Sequence, residues 1–324
     1  MKRSLALLAA CGIALLSSAA FSQSDWPTKP VRIVVPYAPG GAADALGRVF
    51  AEALSASLGK QFYVENRAGG GSVLGSEMVA RSEPDGYTFT LSGMSTHVLA
   101  PAMNKNAGFD PVRDFTHVAY FGGAPNVFVV HPTFGVKTFQ EFLARAKAEP
   151  AGIEYVSPGV GSVGNLVAEY LAAKENIKLT HVAYKGGAGA LLDLVAGHVK
   201  VGMMSWSTAR EHVRSGNLIP LGLSSAARFA EFPDLPTLKE LGYPDLVATT
   251  WWALSAPAGL PKDITDKVNT ALNKSLDLPQ VKKQLEQDGV EGRPMTPAEV
   301  TQFMQSEVSK WVPVVKAMTE GRKS

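Results

Sequence analysis

Of the chain's 324 residues only one is a cysteine, Cys11, which excludes a disulfide framework and a cysteine-based zinc site. Charge of one sign is missing too. Lys and Arg number 31 against 29 Asp and Glu, and neither forms a long run. Without a basic stripe the chain lacks the electrostatic footprint of a nucleic-acid binder. No G-x-S-x-G, H-E-x-x-H or G-x-x-x-x-G-K-[ST] occurs, so the nucleophile elbow, the zinc-protease helix and the P-loop are excluded. Six histidines (His97, His117, His131, His181, His198 and His212) are scattered, and none pairs at the i, i+4 spacing of a helical metal site. The sequence implies neither a metal nor a cofactor.

The one extended apolar run lies at the start. Lys2 and Arg3 precede Leu5 to Leu16, small residues follow, and the chain turns polar at Gln23. That is the layout of a secretory signal peptide, cut after Ser22 or after Ala20. The run falls short of the roughly 20 residues that a membrane anchor needs. Leu8-Ala9-Ala10-Cys11 also reads as a lipoprotein box, but Cys11 sits early and the apolar run continues past it, so we read it as part of the hydrophobic region. Removing residues 1–22 leaves 29 basic and 29 acidic residues and no thiol. The expectation is an exported, neutral protein without a cysteine.

What the sequence does have is 31 glycines, 21 prolines and an alternation of strand and helix signals. Val31 to Tyr37 reads as a strand ending in Ala38-Pro39-Gly40-Gly41, and a helix follows with Leu46, Phe50 and Leu54 on one face and Gly59 past its end. Further strands are expected at 62–65, 87–91, 126–130, 153–156, 181–184, 199–204, 218–223 and 249–253. Helices are expected at 139–148, around 166–173, through Leu191 and Val195, and from Pro261 onward, with a kink at Pro313. This is an α/β protein with mostly parallel sheets. Such sheets bind ligands at the carboxyl ends of their strands.

Three strand–glycine–helix junctions lie at those ends: Pro39 to Asp44, Ser157 to Ser162, and Tyr184 to Ala188. Each offers free backbone N–H groups at the positive end of a helix dipole. Converging termini of this kind suit a small carboxylate without any arginine. Gly159-Val160-Gly161-Ser162-Val163-Gly164 matches the G-x-G-x-x-G fingerprint, but the next strand ends at Tyr184-Lys185 with no acid to hold a ribose, so a dinucleotide site is excluded. His97, after Ser95-Thr96, is a candidate for lining a site. Asp44 reads as a helix cap or loop brace.

Val35-Pro-Tyr-Ala-Pro-Gly-Gly-Ala-Ala-Asp44 resembles the signature loop of the Bug-type solute-binding receptors of tripartite tricarboxylate transporters. So do Val64-Glu-Asn-Arg67 with Gly69 to Gly71, Pro84-Asp-Gly-Tyr87, Tyr155 to Ser162, Val182 to Gly187, and Ala256-Pro-Ala-Gly259. The segments follow family order over the whole mature chain. The resemblance implies a type II-like periplasmic binding protein, with two α/β lobes joined by two crossing strands and a ligand cleft between them. Lobe one would be residues 23–121 and 225–324, and lobe two residues 122–224.

By the same resemblance the ligand carboxylate meets Gly40, Gly41, Ala42, Ala43 and Asp44, with Tyr37 alongside and Ser95, Thr96 and His97 next to them. From lobe two come Ser157, Gly161, Ser162, Tyr184, Lys185 and Gly186. Asn165 stands where relatives often carry histidine. Near Met203 to Trp206 the aspartate that many carry is missing, which disfavours an amino acid ligand. Trp206, Trp251 and Trp252 are candidates for a flat apolar wall. The expected function is capture of a di- or tricarboxylate or aromatic acid for the transporter's membrane subunits, with a sensor kinase as another possible partner and a periplasmic hydrolase using Asp44 or His97 as the alternative.

Overall fold

The structure, a computed structural model, describes residues 25–320 apart from 105–106, 230 and 288. The signal-peptide and Cys11 readings lie outside the described residues. Among them are nine strands, ordered β2-β1-β3-β9-β4-β7-β5-β6, with β8 paired to β4.

The first sheet is built on β1 (Val31–Val35), which lies parallel to both β2 (Phe62–Asn66) and β3 (Thr88–Gly93). Only Arg32 of β1 escapes full burial, the continuous apolar run of a strand covered on both faces. Between β1 and β2 runs α1 (Ala42–Leu58), closed by Gly59 in the left-handed conformation at φ 71°. There a residue with a side chain would be strained. Phe50 of α1 stacks on Phe121 at 4.0 Å. Short α2 (Val73–Ala80) follows β2, and β3 runs into a π-helical turn (Met94–Leu99) and short α3 (Ala100–Met103).

β4 (Phe115–Val130) is 16 residues long, about 53 Å at 3.3 Å per residue. Its first part pairs antiparallel with β9 (Thr249–Pro257) in the first sheet, and residues from Asn126 on pair with β7 (Val201–Ser205) and β8 (Ile219–Leu223) in the second. The second sheet is completed by β5 (Ile153–Ser157) and β6 (Leu179–Ala183), parallel to each other. Around it lie α4 (Phe139–Ala148), α5 (Val163–Glu175), α6 (Gly187–Val195) and α7 (Trp206–Arg214). A capping box between Thr138 and Glu141 starts α4.

The sequence reading put Gly122-Gly123 outside any strand. They lie inside β4 instead, because another segment crosses them closely. A β-carbon on Gly122 would sit 2.5 Å from Val290 and 2.9 Å from the Glu291 carbonyl. Gly123 exchanges backbone hydrogen bonds with Glu291.

The return from the second sheet also comes later than residue 225. Leu238 N donates to Leu223 O, Leu235 is buried with Val127 and Trp206, and Tyr243 meets Phe139 edge-on while its hydroxyl donates to Glu175. These side chains find their cover on β8, α4 and α5, so the chain re-enters the first sheet only with β9. After β9 come α8 (Lys262–Ser275), α9 (Pro279–Gln287) and α10 (Pro297–Glu320), the last continuous through Pro313. Phe303 of α10 packs on Tyr120 and Trp251. Among the described residues no helix is long and apolar enough to cross a membrane.

Candidate functional site

Four helices begin at one cavity. The starts of α1 (Gly41 to Ala43), α5 (Ser162 to Gly164), α6 (Gly186, Gly187) and α7 (Ser205, Thr208) line it, together with Tyr37, Ser95, Asn126, Thr250 and Trp252. At each start the strand delivers the chain from its carboxyl end, and the first N–H groups of the helix have no partner within it. Ser162 caps α5 by accepting from Asn165 N at 3.1 Å. Gly41 and Gly186 cap α1 and α6 without a side chain, leaving the backbone approachable. Among the described residues, no side chain lining this cavity is charged. What it offers an anion is therefore the positive ends of helix dipoles.

The two lobes touch around it. Ala38 N donates to Lys185 O at 3.0 Å, and a β-carbon on Gly41 would lie 3.5 Å from Gly187 N. The inner chamber measures about 50 Å³. An outer one of about 290 Å³ shares Tyr37, Ser95, Pro158 and Ser162 with it and adds Gly69 to Ser72, Val160, Tyr184 and Lys185.

Several expected residues stand behind the wall. Asp44 is buried: Oδ2 accepts from Gly40 N (3.0 Å) and Arg48 Nε (3.1 Å), and Oδ1 from Asn66 Nδ2 (2.9 Å). Burial alone would raise its pKa, but the bonds from Arg48, Gly40 and Asn66 hold it below the ordinary value. It braces the loop. Gly40, with φ 88°, turns toward Ala188 of the other lobe, and Gly161 packs on the Ala100 backbone. Ser157 and Asn165 are buried beneath the α5 loop. Burial pushes the Tyr37 phenol up, against the lowering effect of the neighbouring Ser72 and Ser95 hydroxyls. Tyr184 in the outer chamber bonds to Asp193, which pushes it up to about 12.

Four expectations need correction. Thr96 and His97 do not line the cavity: Thr96 Oγ1 bonds to Gly93 O and His97 Nδ1, and the His97 ring lies 4.5 Å from that of Phe115. Burial, then the neighbouring His117, holds the His97 pKa well below its ordinary value. The π turn that carries Ser95 to the cavity rotates the next two residues into the core. Trp206 is packed between Phe229 and Phe232, 5.0 Å from each. Trp251 points the other way from Trp252, against Phe303, and its Nε1 donates to Glu307. Alternation along β9 makes Trp252 the wall residue.

The sequence reading missed Asn126, Thr250, Ser205 and Thr208. Asn126 Nδ2 donates to Thr250 Oγ1 at 2.9 Å across the two crossing strands. The α7 start could have been read from Ser205 after an apolar strand, ahead of Ala209 and Val213. Nothing local marks Asn126 or Thr250. Among the described residues no group of three or more His, Asp or Glu is placed to hold a metal ion.

Two α/β lobes sharing crossing strands, with a dipole-lined cleft between them, define a periplasmic binding protein. The chain belongs to the tripartite tricarboxylate transporter family of receptors, whose profile matches residues 46–319. It is 32% identical over 314 residues to protein BugT of Bordetella pertussis, covering 96% of each chain. Among solved structures it is similar to a Rhodopseudomonas palustris protein with adipate (29% identity, 91% and 98% coverage, TM-score 0.86). It is also similar to MatC of the same organism with bound malate (30% identity, 90% and 100% coverage, TM-score 0.86).

Proposed function

We propose that this receptor captures a small organic acid as its carboxylate in the cleft and delivers it from the periplasm to the membrane subunits of a tripartite tricarboxylate transporter. The observation that carries the reading is the meeting of four helix starts at a cavity with no charged side chain. A carboxylate at one partly buried terminus gains up to about 2 kcal/mol. Termini facing it from both lobes hold a small anion and draw the lobes shut. The inner chamber suits a compact carboxylate end, and the outer one, with Lys185 on its wall, takes a longer chain or a second anionic group. The adipate and malate of the two relatives are acids of this kind. With no carboxylate on the cavity wall, an ammonium group finds no counter-charge, which disfavours amino acids.

We assign lobe one to residues 25–125 and 249–320 and lobe two to 126–248. The protein is not an enzyme in this reading. The two candidate bases are engaged elsewhere, Asp44 in the loop brace and His97 in the core.

Thermal unfolding of residues 23–324, refolded to strip retained ligand, against mono-, di- and tricarboxylates, aromatic acids and acidic amino acids tests the proposal. A ligand at 100 times its Kd adds about 2.7 kcal/mol. A shift confined to one acid class, with the compound recovered unchanged, supports the receptor. A flat panel, or a consumed compound, overturns it.

A further inference from the structure

Behind the second-lobe wall a chain of polar side chains runs from the cleft toward the surface. Ser162 Oγ donates to Ser157 Oγ at 3.1 Å, and Ser157 Oγ lies 2.7 Å from His181 Nε2. His181 Nδ1 lies 3.3 Å from Asn165 Nδ2, which also donates to the Tyr155 hydroxyl at 2.8 Å. Tyr155 in turn donates to Glu169. Apart from His181 and Glu169 these side chains are at most 5% exposed.

The orientation of the Asn165 amide is fixed by its other end, because Oδ1 accepts from Gly161 N at 3.2 Å. The amide nitrogen therefore faces the ring, and a donor facing Nδ1 requires a lone pair there. The proton of neutral His181 must be on Nε2, donating to Ser157. That leaves the Ser157 hydroxyl to donate to Gly159 O at 3.2 Å within the same loop, while it accepts from Ser162.

We propose that His181 is the positioning residue of the Gly159–Ser162 loop, and that protonating it unlatches Gly161 and weakens carboxylate binding in acid. The imidazolium carries an N–H at both nitrogens. Its Nδ1–H then meets the Asn165 amide N–H. Relief needs the amide to flip, which withdraws Oδ1 from Gly161 N and leaves the first turn of α5 without its latch.

The groups facing the ring are few. β5 contributes Tyr155, stacked at 4.8 Å, and Ser157, while α5 contributes Asn165 and Glu169. Glu154 alternates to the opposite, exposed face of β5. Glu169 accepts from the Tyr155 hydroxyl and, at 3.4 Å, from Asn165 Nδ2. Half-burial favours the neutral ring, so the latch is closed at neutral pH. The binding half of this inference rests on the carboxylate reading above; the latch does not.

The test uses the ligand-free chain with ¹⁵N-labelled histidine. NMR should show His181 as the Nε2–H tautomer above its titration. Hydrogen exchange at Gly161, corrected for intrinsic rate, should speed up by about 3- to 10-fold as His181 titrates, the worth of one hydrogen bond. Asn165→Asp offers a carboxylate oxygen to both Gly161 N and the imidazolium, and should keep Gly161 protected in acid. His181→Gln should flatten the pH profile. An Nδ1–H tautomer, or unchanged Gly161 protection through the titration, overturns the latch. If malate or adipate binds, a Kd that rises in acid in the wild type but not in Asn165→Asp supports the link to affinity, and equal profiles overturn it. If no acid binds, the function proposed above fails and the NMR and exchange results still decide the latch.

Discussion

Asp44→Asn separates a loop brace from a catalytic base. The substitution keeps size and shape but puts an N–H₂ where an oxygen was, and every neighbour is a donor: Gly40 N and Arg48 Nε on one oxygen, Asn66 Nδ2 on the other. Whichever way the new amide turns, one of these sides faces a like group. Arg48 is 55% exposed, so its ion pair contributes little. The loss is one charge-assisted bond to Gly40 or Asn66, about 1.5–3 kcal/mol. A further 0.3–1 kcal/mol or so goes with the negative charge in the first turn of α1. The sum is about 2–4 kcal/mol, and near 300 residues that lowers Tm by roughly 3–6 °C. Calorimetry should show this drop together with weaker binding of whichever acid the receptor takes, while Arg48→Ala costs less than about 1 kcal/mol. An Asp44→Asn variant with unchanged Tm would refute the brace. A variant that binds normally but stops consuming a compound would restore Asp44 as a base.

Other outcomes follow from the same geometry. Gly164→Ala would place its β-carbon 2.2 Å from the Met203 carbonyl oxygen, forcing α5 off β7; the expected cost is about 1–3 kcal/mol, and an unaltered urea midpoint contradicts it. Trp252→Ala should weaken binding about tenfold by removing a cavity wall, whereas Trp251→Phe should cost about 1 kcal/mol of stability and no affinity; titration calorimetry on both variants checks the contrast. His117, pushed down to about 4 by burial, and His97, held well below its ordinary value by burial and then by His117, stay neutral in the fold. Since the unfolded chain binds protons first, their stabilisation is complete above about pH 6.5 and drains as pH falls, by about 1.4 kcal/mol per histidine per pH unit down to the folded values. Urea titrations between pH 7 and 5 that show no slope would refute it.

The strands and the three glycine junctions were legible because both depend on local pattern. β1 shows an unbroken apolar run, and Pro39-Gly40-Gly41 or Gly159 to Ser162 marks the switch from period two to a helix start. The cleft side of lobe two was less legible. Asn126 and Thr250 meet across 124 positions of sequence, and neither carries a local signal. The tryptophans misled because size and aromaticity suggest a wall, while the facing of Trp251 and Trp252 is set by the register of β9 against β3 and β4. Ser95-Thr96-His97 was read as one lining segment because a π turn cannot be told from a loop by composition. β4 was expected only over 126–130, because nothing local marks its earlier part as strand, and Gly122-Gly123 there leave room for Val290 and Glu291 to pass.

The sharing of β4 and β9 between the lobes also dictates an order of assembly. Lobe two lies within one stretch of chain, so all its strand partners have emerged once β8 has, and residues 235–246 close over it soon after. The first sheet cannot be completed then, because β3 pairs with β9 from Thr90↔Ser255 to Gly93↔Trp252, across more than 150 positions. Until the last quarter of the chain arrives, β3 and the first part of β4 present unpaired edges, the kind that pairs with other chains. Such distant pairing is intrinsically slow. The most exposed folding intermediate therefore lies in lobe one, late, and is relieved by a single strand.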